Sequence, residues 1–584
     1  MDKTEVLRRY FGHDAFRPGQ EEIIDSLTAG QDVLAIMPTG AGKSVCYQVP
    51  GMLLDGITLV ISPLISLMKD QVTALNAAGM PAAYLNSSLT ASQMERAISN
   101  AVKGKYRFIY AAPERLAAPS FLRFSQHAKI AMIAVDEAHC VSQWGQDFRP
   151  SYLKISDFIN QLPMRPPVGA FTATATERVG SDIIRLLNLH SPKRVITGFD
   201  RPNLFYEIIS AKKRADTVVS LVQAREKDSG IVYCNSRKQV EELTEKLRRA
   251  GITATRYHAG LTDDERKNNQ EDFQYDRARV MVATNAFGMG IDKSNVRYVI
   301  HAQMPRSIEA YYQEAGRAGR DGEPADCILL YSRQDIITSR YLIDNSAPNE
   351  ALSDEERETV RRQEYWRLNK MVDLCESDTC IRKGLLDYFG QSGVNQPCGG
   401  CSRCAGSKVL EIKNRSRDSE TAIRKSQPVP IDDLDQDALD DLLVRLKACR
   451  LKLAAKAHLP AYIICDDKTL REMACVRPAT MSQLSQVKGI GEAKLHKYGQ
   501  DFLQVISEWR NVHPGISETI PSDHSDPAAE QKNNPFRPLN EQERVLMERA
   551  VKAKLTLSQI CIMLDQPIEL IESWLESISQ IGRQ

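Results

Sequence analysis

The sequence predicts an α/β protein with two parallel sheets in tandem, followed by a cysteine-bearing helical module and small all-α C-terminal units. Three observations predict this. Over the first 340 residues, short β-branched apolar runs alternate with amphipathic stretches, the pattern of parallel strands joined by crossover helices. Nine such runs over that length suit two sheets. Beyond residue 341 the alternation gives way to helical periodicity, and five of the 13 cysteines fall between Cys375 and Cys404.

The first five runs are DVLAIMP, TLVISP, RFIYAAP, AMIAVDE and VGAFTAT. They read as fully buried strands, apolar on both faces. GIVYCNS, TATRYHAG, ARVMVATN and VRYVIHA supply the second sheet. RKQVEELTEKLRRAG is a helix between two of them, with Gly251 as its stop. The seam is placed near GFDRPNL, residues 198–204, giving domains of 1–200 and 201–340. Residues 341–405 form the cysteine-bearing module. Residues 406–435, polar and low in aromatics, read as a linker. Helical periodicity returns over 436–511, a Pro-, Ser- and Asp-rich linker covers 512–535, and a last helical unit fills 536–584.

At 584 residues the chain is too long for one core. A composition of 42% hydrophobic and 26% charged residues is that of an ordinary globular protein. The net charge of +1 gives no global sign of nucleic acid, so any basic surface must be local. There is no apolar run of 18 residues and no apolar signal core at the N-terminus, so the expectation is a cytoplasmic protein without a membrane span. Cys46, Cys140, Cys234 and Cys327 stand singly in apolar or motif contexts and read as buried thiols.

AIMPTGAGKS, Ala35 to Ser44, runs from strand to helix. Gly40 and Gly42 let backbone N–H groups turn inward around phosphate oxygens. Lys43 is suited to the β and γ phosphates of ATP, and Ser44 to Mg²⁺. Met37 stands where the usual phosphate-loop pattern has its first glycine. Ninety-three residues after Lys43 comes AMIAVDEAH. There Asp136 is placed to hold Mg²⁺ and Glu137 to polarise the attacking water. In YYQEAGRAGRDG, Arg317 and Arg320 carry the delocalised charge that a transferring phosphoryl group calls for.

With these motifs in order, the chain resembles superfamily 2 helicases, and over residues 5–405 it closely resembles the RecQ DNA helicases. The matching blocks are FRPGQ, MPTGAGKS, SPLISLMKDQ, APERL, DEAHC, FTATAT, VYCNSR, YHAGL, ATNAFGMGIDK and QEAGRAGRDG. The resemblance implies two RecA-like domains. It also implies nucleotide contacts from Phe16, Arg17, Gln20, Thr39, Gly40, Gly42, Lys43, Ser44 and Gln313, with Gln20 reading adenine. His139 and Thr172 to Thr174 correspond to coupling positions. The run after DEAH, with Trp144, Phe148 and Arg149, corresponds to an aromatic-rich loop that senses single-stranded DNA. Its flat faces suit bases, and its arginine suits stacking or phosphate; packing of Trp144 and Tyr152 between the sheets is the competing reading. Ser62 to Lys69, Arg115, Asn235 to Arg237 and His258 are further candidates for DNA-backbone contacts. The implied activity is ATP- and Mg²⁺-dependent 3′-to-5′ unwinding of single-stranded and forked DNA in recombination and repair. A translocase or annealing factor that unwinds poorly, and an RNA helicase, are the alternatives.

Cys398, Cys401 and Cys404 form C-x-x-C-x-x-C, and a tetrahedral thiolate site needs one more ligand, from Cys375 or Cys380. The resemblance implies Cys380, which precedes Arg382 and a short helix, and leaves Cys375 a bystander. Four thiolates close the site, so structural zinc is expected, with an iron–sulfur cluster as the alternative, and metal loss is expected to unfold the module.

Only about 30 residues separate Cys404 from the next helical unit, too few for the winged helix of the common bacterial layout. Residues 406–427 carry six Lys or Arg against three Asp or Glu, a solvated linker with weak phosphate contacts at most. Residues 436–511 resemble the HRDC domain. Its turn Val487 to Gly491, with Lys488, Lys494 and Lys497, offers a hold for a DNA phosphate, against plain helix packing. The unit at 536–584 has a helix-turn-helix rhythm, but Glu569, Glu572 and Glu576 occupy its reading face. Phosphates would repel that face, so a protein-contact or packing role is expected there, with repair proteins as the candidate partners.

Overall fold

The protein is described by a computed structural model covering residues 1–513 apart from 64, 87–88, 146, 288–292, 346–352, 393–396, 410–432 and 458. Two all-parallel sheets dominate it. The first contains β1 (Val33–Ile36), β2 (Ile57–Ile61), β3 (Ala82–Leu85), β4 (Phe108–Ala111), β5 (Ile130–Val135), β6 (Val168–Thr172) and β7 (Lys193–Ile196), in the order β3-β4-β2-β5-β6-β1-β7. The second contains β8 (Leu204–Ser210), β9 (Ser229–Tyr233), β10 (Ala254–Tyr257), β11 (Val280–Ala283), β12 (Val296–His301) and β13 (Ala325–Tyr331), in the order β10-β11-β9-β12-β13-β8. The strands are short and rich in Val, Ile and Ala because helices cover both faces.

Nine of these strands follow the predicted runs, and β3, β7, β8 and β13 do not. The reason is local. β3 and β7 are edge strands, and β7 reads KRVI, with a single buried residue. β8, also an edge, has Glu207 mid-strand, buried against the Ser407 hydroxyl. β13 opens on Ala325-Asp326, and Asp326 is paired with Arg225 at 2.7 Å and Lys408 at 2.9 Å. Pairing partners distant in sequence make these polar positions tolerable, and no local pattern reports them.

The predicted seam lies between β7 and β8, where the chain passes from one sheet to the other. After β13 come the helices Gln334–Asp344, Asp354–Glu376 and Ile381–Tyr388, and then the cysteine loops. This module leans on the edge of the second sheet: Tyr206 of β8 forms a parallel bridge with Cys401 and donates its N–H to the Gly400 carbonyl at 3.0 Å. The next unit is all-α, from Asp433–Ala457 to Glu492–Val512. Its core gathers Leu442, Leu446, Leu470, Met473 and Ile506 around Trp509, which is 1% exposed. All described residues fall within one compact unit, Met1–Ile516. The expected linkers at 406–435 and 512–535 lie largely or wholly outside the described residues, and so does all of the helix-turn-helix-like unit at 536–584. Among the described residues no helix is long and apolar enough to cross a membrane.

One buried carboxylate fixes the start of the strand that leads into the phosphate loop. Asp32, 2% exposed, accepts N–H groups of Val168 (2.9 Å) and His190 (2.7 Å) and a two-pronged contact from Arg165 (3.1 and 2.6 Å). It thereby ties β1 to β6 and to the chain before β7. Asp32→Ala would leave these donors unpaired, at a cost of about 3–5 kcal/mol. A clear drop in the thermal unfolding midpoint is expected, with Asp32→Asn closer to the parent; equal midpoints for the alanine variant and the parent would refute this role.

Candidate functional site

In a parallel sheet every strand ends on the same edge, so the loops that follow gather there. After β1 the phosphate loop turns through Gly40 (φ +84°) and Gly42 (φ +82°), conformations that side chains resist. It is held from below by Gln20, whose amide donates to the carbonyls of Ala41 (3.1 Å) and Gly42 (3.2 Å), and by Arg17, which donates to Gly40 at 2.6 Å. After β5 come Asp136 and Glu137. Glu137 has φ +48°, rare for a residue with a side chain, and it starts the turn Ala138–Val141. Tyr152 is fully buried, with its hydroxyl donating to the Asp136 carbonyl at 2.9 Å, so this aromatic is a prop for the acidic turn.

Across the cleft, β12 leads to the helix Ile308–Ala315 and then the arginine turn, residues 316–320. His301 and Glu314, 2.8 Å apart, pin that helix to its strand. A cavity of about 440 Å³ lies between the sheets. Its walls include Thr39, Gly40, Gly42, Lys43, Ser44, Asp136 and Glu137 from the first sheet, and Gln313, Arg317 and Arg320 from the second. The phosphate loop and the arginine turn, read separately from sequence, therefore share one space.

The electrostatics of this space are unbalanced without a ligand. Burial, and then the neighbouring Glu137 charge, push the Asp136 carboxyl well above the usual carboxylate range, against the pull of Lys43. Burial pulls the Lys43 ammonium down, the carboxylates of Glu137 and Asp136 oppose that, and Arg320 adds to it from the other sheet. One Glu137 oxygen, Oε2, is buried with no hydrogen-bond partner among the described residues. A crowded acidic pair beside a hydroxyl suits a divalent cation, and the surrounding Lys and Arg suit a polyphosphate.

The cysteine cluster is a separate centre. The sulfurs of Cys380, Cys398, Cys401 and Cys404 lie within 4.8 Å of one another. Cys401 is 3.8 Å from Cys380 and 3.6 Å from Cys398, close to the edge of about 3.8 Å that a tetrahedron of zinc–sulfur bonds of about 2.3 Å requires. Cys375 stands outside this group as a buried thiol, pushed up to about 12 by burial.

Comparison with known proteins agrees with both centres. Family models match in chain order: DEAD/DEAH box helicase over residues 17–182, helicase conserved C-terminal domain over 213–322, RecQ zinc-binding over 333–405 and HRDC domain over 440–506. The ATP-dependent DNA helicase RecQ of Bacillus subtilis is 38% identical, across 87% of this chain and 98% of the relative. RecQ of Pasteurella multocida and of Haemophilus influenzae are each 36% identical over 87% of this chain, covering 94% and 96% of those relatives. The chain belongs to the RecQ family of ATP-dependent DNA helicases.

In this RecQ chain the residues expected to couple, His139, Thr172 and Thr174, are in contact with one another. His139 Nδ1 lies 2.9 Å from the Thr172 hydroxyl, which accepts the Thr174 N–H at 3.2 Å, and His139 Nδ1 is 3.5 Å from Glu137. Burial pulls the His139 imidazole below its ordinary value. The loop residues Trp144, Phe148 and Arg149 are not on the cavity wall. Arg149 is engaged with Asp147 at 2.8 Å and the Pro63 carbonyl at 3.0 Å. The guanidinium of Arg178 covers the Trp144 ring, 3.2 Å from its centre, and Arg367 of the zinc-module helix bonds the Trp144 carbonyl.

Three expectations need correction. Phe16 is not on the cavity wall; it packs with Val6, Ile24 and Val49, a staple behind Gln20. His258 is buried and paired with Glu241 at 2.7 Å, so it faces no DNA backbone in this arrangement. Lys494, read as a DNA-phosphate ligand, lines the cavity between the sheets with Tyr462, Ile463 and Asp466. The HRDC unit brings it there by docking on both sheets' domains: the Gly489 N–H bonds the Gly12 carbonyl at 2.8 Å, Arg9 pairs with Glu492 at 2.9 Å, and Arg471 pairs with Glu323 at 2.9 Å. Burial lowers Lys494 despite Cys465 and Asp466. Sequence reasoning missed this wall because a basic glycine turn looks alike whether it meets DNA or another domain.

The cluster geometry generates a direct metal test. The purified chain is expected to carry one zinc, to lose it in Cys380→Ser and Cys398→Ser, and to keep it in Cys375→Ser. Zinc content by atomic emission decides; loss of metal in Cys375→Ser would contradict the ligand set.

Proposed function

We propose that this RecQ protein moves 3′ to 5′ on single-stranded DNA, separates forked duplexes, and serves recombination and repair. The observation that carries the reading is the shared cavity, with Lys43, Ser44, Asp136 and Glu137 on one side and Gln313, Arg317 and Arg320 on the other. ATP bound there touches both domains and draws them together. Hydrolysis removes that bridge and lets them part.

In this reading Lys43 holds the β and γ phosphates. Glu137 orients and polarises the attacking water, its Oε2 lacking a hydrogen-bond partner among the described residues and lying 3.5 Å from His139 Nδ1. Arg317 and Arg320 meet the charge that spreads over the transferring phosphoryl group. Ser44 and Asp136 are the residues suited to hold Mg²⁺, which when bound supplies charge neutralisation at the phosphates. His139, Thr172 and Thr174 link Glu137 to the next loop of the sheet. Trp144, Phe148 and Arg149 lie a few residues from Glu137, so a base stacked on Trp144 in place of Arg178 would be felt at the acidic turn.

One observation favours a second reading. About 30 residues separate Cys404 from the helix that begins at Asp433, too few for a winged helix. A motor without that wedge would translocate or anneal strands while unwinding weakly.

Steady-state ATP hydrolysis with Mg²⁺ tests the reading, with no polymer, single-stranded DNA, blunt duplex or RNA at one salt concentration. Strong stimulation by single-stranded DNA is expected, and equal stimulation by RNA or blunt duplex would refute the substrate assignment. Glu137→Gln is expected to lower the stimulated kcat by about 10²–10⁴-fold. Trp144→Ala is expected to raise the DNA concentration for half-maximal stimulation by roughly tenfold, the worth of one stacked base. Full turnover by the Glu137 variant, or an unmoved DNA requirement for the Trp144 variant, would contradict those roles.

A further inference from the structure

The segment between the sheets, GFDRPNL, does more than connect them. Arg201 is 9% exposed, and its guanidinium is fully committed. Nη1 donates to the Thr39 carbonyl of the phosphate loop and to the Gly316 carbonyl at 3.3 Å. Nη2 donates to Ala318 at 3.1 Å and Gly319 at 2.8 Å, and Nε to Asn203 at 3.4 Å. One planar fork thus sits inside the turn that carries Arg317 and Arg320, with one prong on the opposite domain. Asn203 braces the same turn through Gly319 and Glu323, both at 2.9 Å.

A second buried arginine holds the segment from behind. Arg382 follows the cluster residue Cys380 and is 4% exposed. It bonds Asp200 at 2.6 Å, the Arg201 carbonyl at 3.1 Å and the Leu204 carbonyl at 2.6 Å. Gly400, between Cys398 and Cys401, closes over it so tightly that a Cβ there would lie 2.1 Å from Arg382 Nη2. Beside this, Phe199 stacks on Phe389 of the zinc module, with ring centres 4.6 Å apart. Its carbonyl receives the Tyr312 hydroxyl at 2.7 Å, from the helix that enters the arginine turn.

We infer that Arg201 is a positioning residue that sets the arginine turn against the phosphate loop, and that the zinc module acts on ATP turnover through Arg382 and Arg201. The inference rests on the proposed roles of Arg317 and Arg320. Three of the carbonyls that Arg201 holds belong to the turn and one to the phosphate loop. When the domains part, Arg201 therefore travels with the turn, and its bond to Thr39 is the one made on closure. A plain connecting segment would need no five-donor fork, and lysine, with one nitrogen, cannot span the four carbonyls.

The test uses the full chain with single-stranded DNA and compares Arg201→Ala, Arg201→Lys, Arg382→Ala, the double variant Arg201→Ala/Arg382→Ala, and Arg317→Ala. Readouts are kcat, affinity for a fluorescent ATP analogue, zinc content and thermal unfolding. Arg201→Ala and Arg201→Lys are expected to lose about 100-fold in kcat, as misplacement of reacting groups does, while analogue affinity stays within about threefold. Arg382→Ala should show the same split with zinc retained, and the double variant should be no worse than the worse single change, because both act through one contact. Near-parent kcat in Arg201→Lys, or losses that multiply in the double variant, would overturn the inference. Failure of both Arg201 variants to fold would also overturn it, by making Arg201 a determinant of the fold. Arg317→Ala separates the two claims: normal turnover there would sink the underlying site reading, whereas loss there with normal Arg201 variants sinks only this inference.

Discussion

The structure depends on the carboxyl end of the first parallel sheet facing, across one cleft, the turn that precedes the last strand of the second. In the first sheet the phosphate loop and the DEAH turn share one edge because all its strands run the same way, and in the second the arginine turn lies where the strands begin, its Gly319 N–H bonded to the Val296 carbonyl. These edges put Lys43 and Asp136 opposite Arg317 and Arg320, with Arg201 bonded to both the phosphate loop and the arginine turn. Under the proposed function the catalytic set is split between two domains, and that split would turn hydrolysis into movement. Fixed sites on one rigid sheet would hydrolyse ATP without a stroke.

The cleft is held in tension by its own charges. Asp136 and Glu137 are adjacent carboxylates at a buried turn, and Lys43 and Arg320 are cations sharing the same space. Burial disfavours each charge alone, and ligands of opposite sign relieve both sets together. Additional walls close this space from outside the sheets. The HRDC unit contributes Lys494 and Asp466, docked through Glu492 and Arg471. The zinc module reaches the seam through Arg382 and the aromatic loop through Arg367. Modules that look accessory along the sequence are, in three dimensions, in contact with the motor.

What was legible in the sequence was whatever is local. The phosphate loop, the DEAH turn and the arginine turn each sit within a dozen residues, so order and spacing sufficed, even with Met37 in place of a glycine. The triplet of cysteines was equally plain, whereas the choice of Cys380 over Cys375 came from family resemblance and agrees with the sulfur distances. Features that depend on distant partners stayed hidden. Edge strand β7 carries two charges because one of its neighbours is solvent. Lys494 read only as part of a basic glycine turn and Arg201 only as part of a connecting segment, because the cavity and the carbonyls they meet are formed by segments distant in sequence. Phe16 sits in a nucleotide-binding motif, yet its side chain serves the packing behind Gln20.

In the proposed function, hydrolysis in this cleft drives strand separation along single-stranded DNA. Unwinding of a labelled duplex with either a 3′ or a 5′ single-stranded tail, with ATP or a non-hydrolysable analogue, tests it most directly. Separation of the 3′-tailed duplex alone, and only with ATP, is expected. Separation from the 5′ tail, or vigorous DNA-stimulated hydrolysis with neither duplex opened, would contradict it.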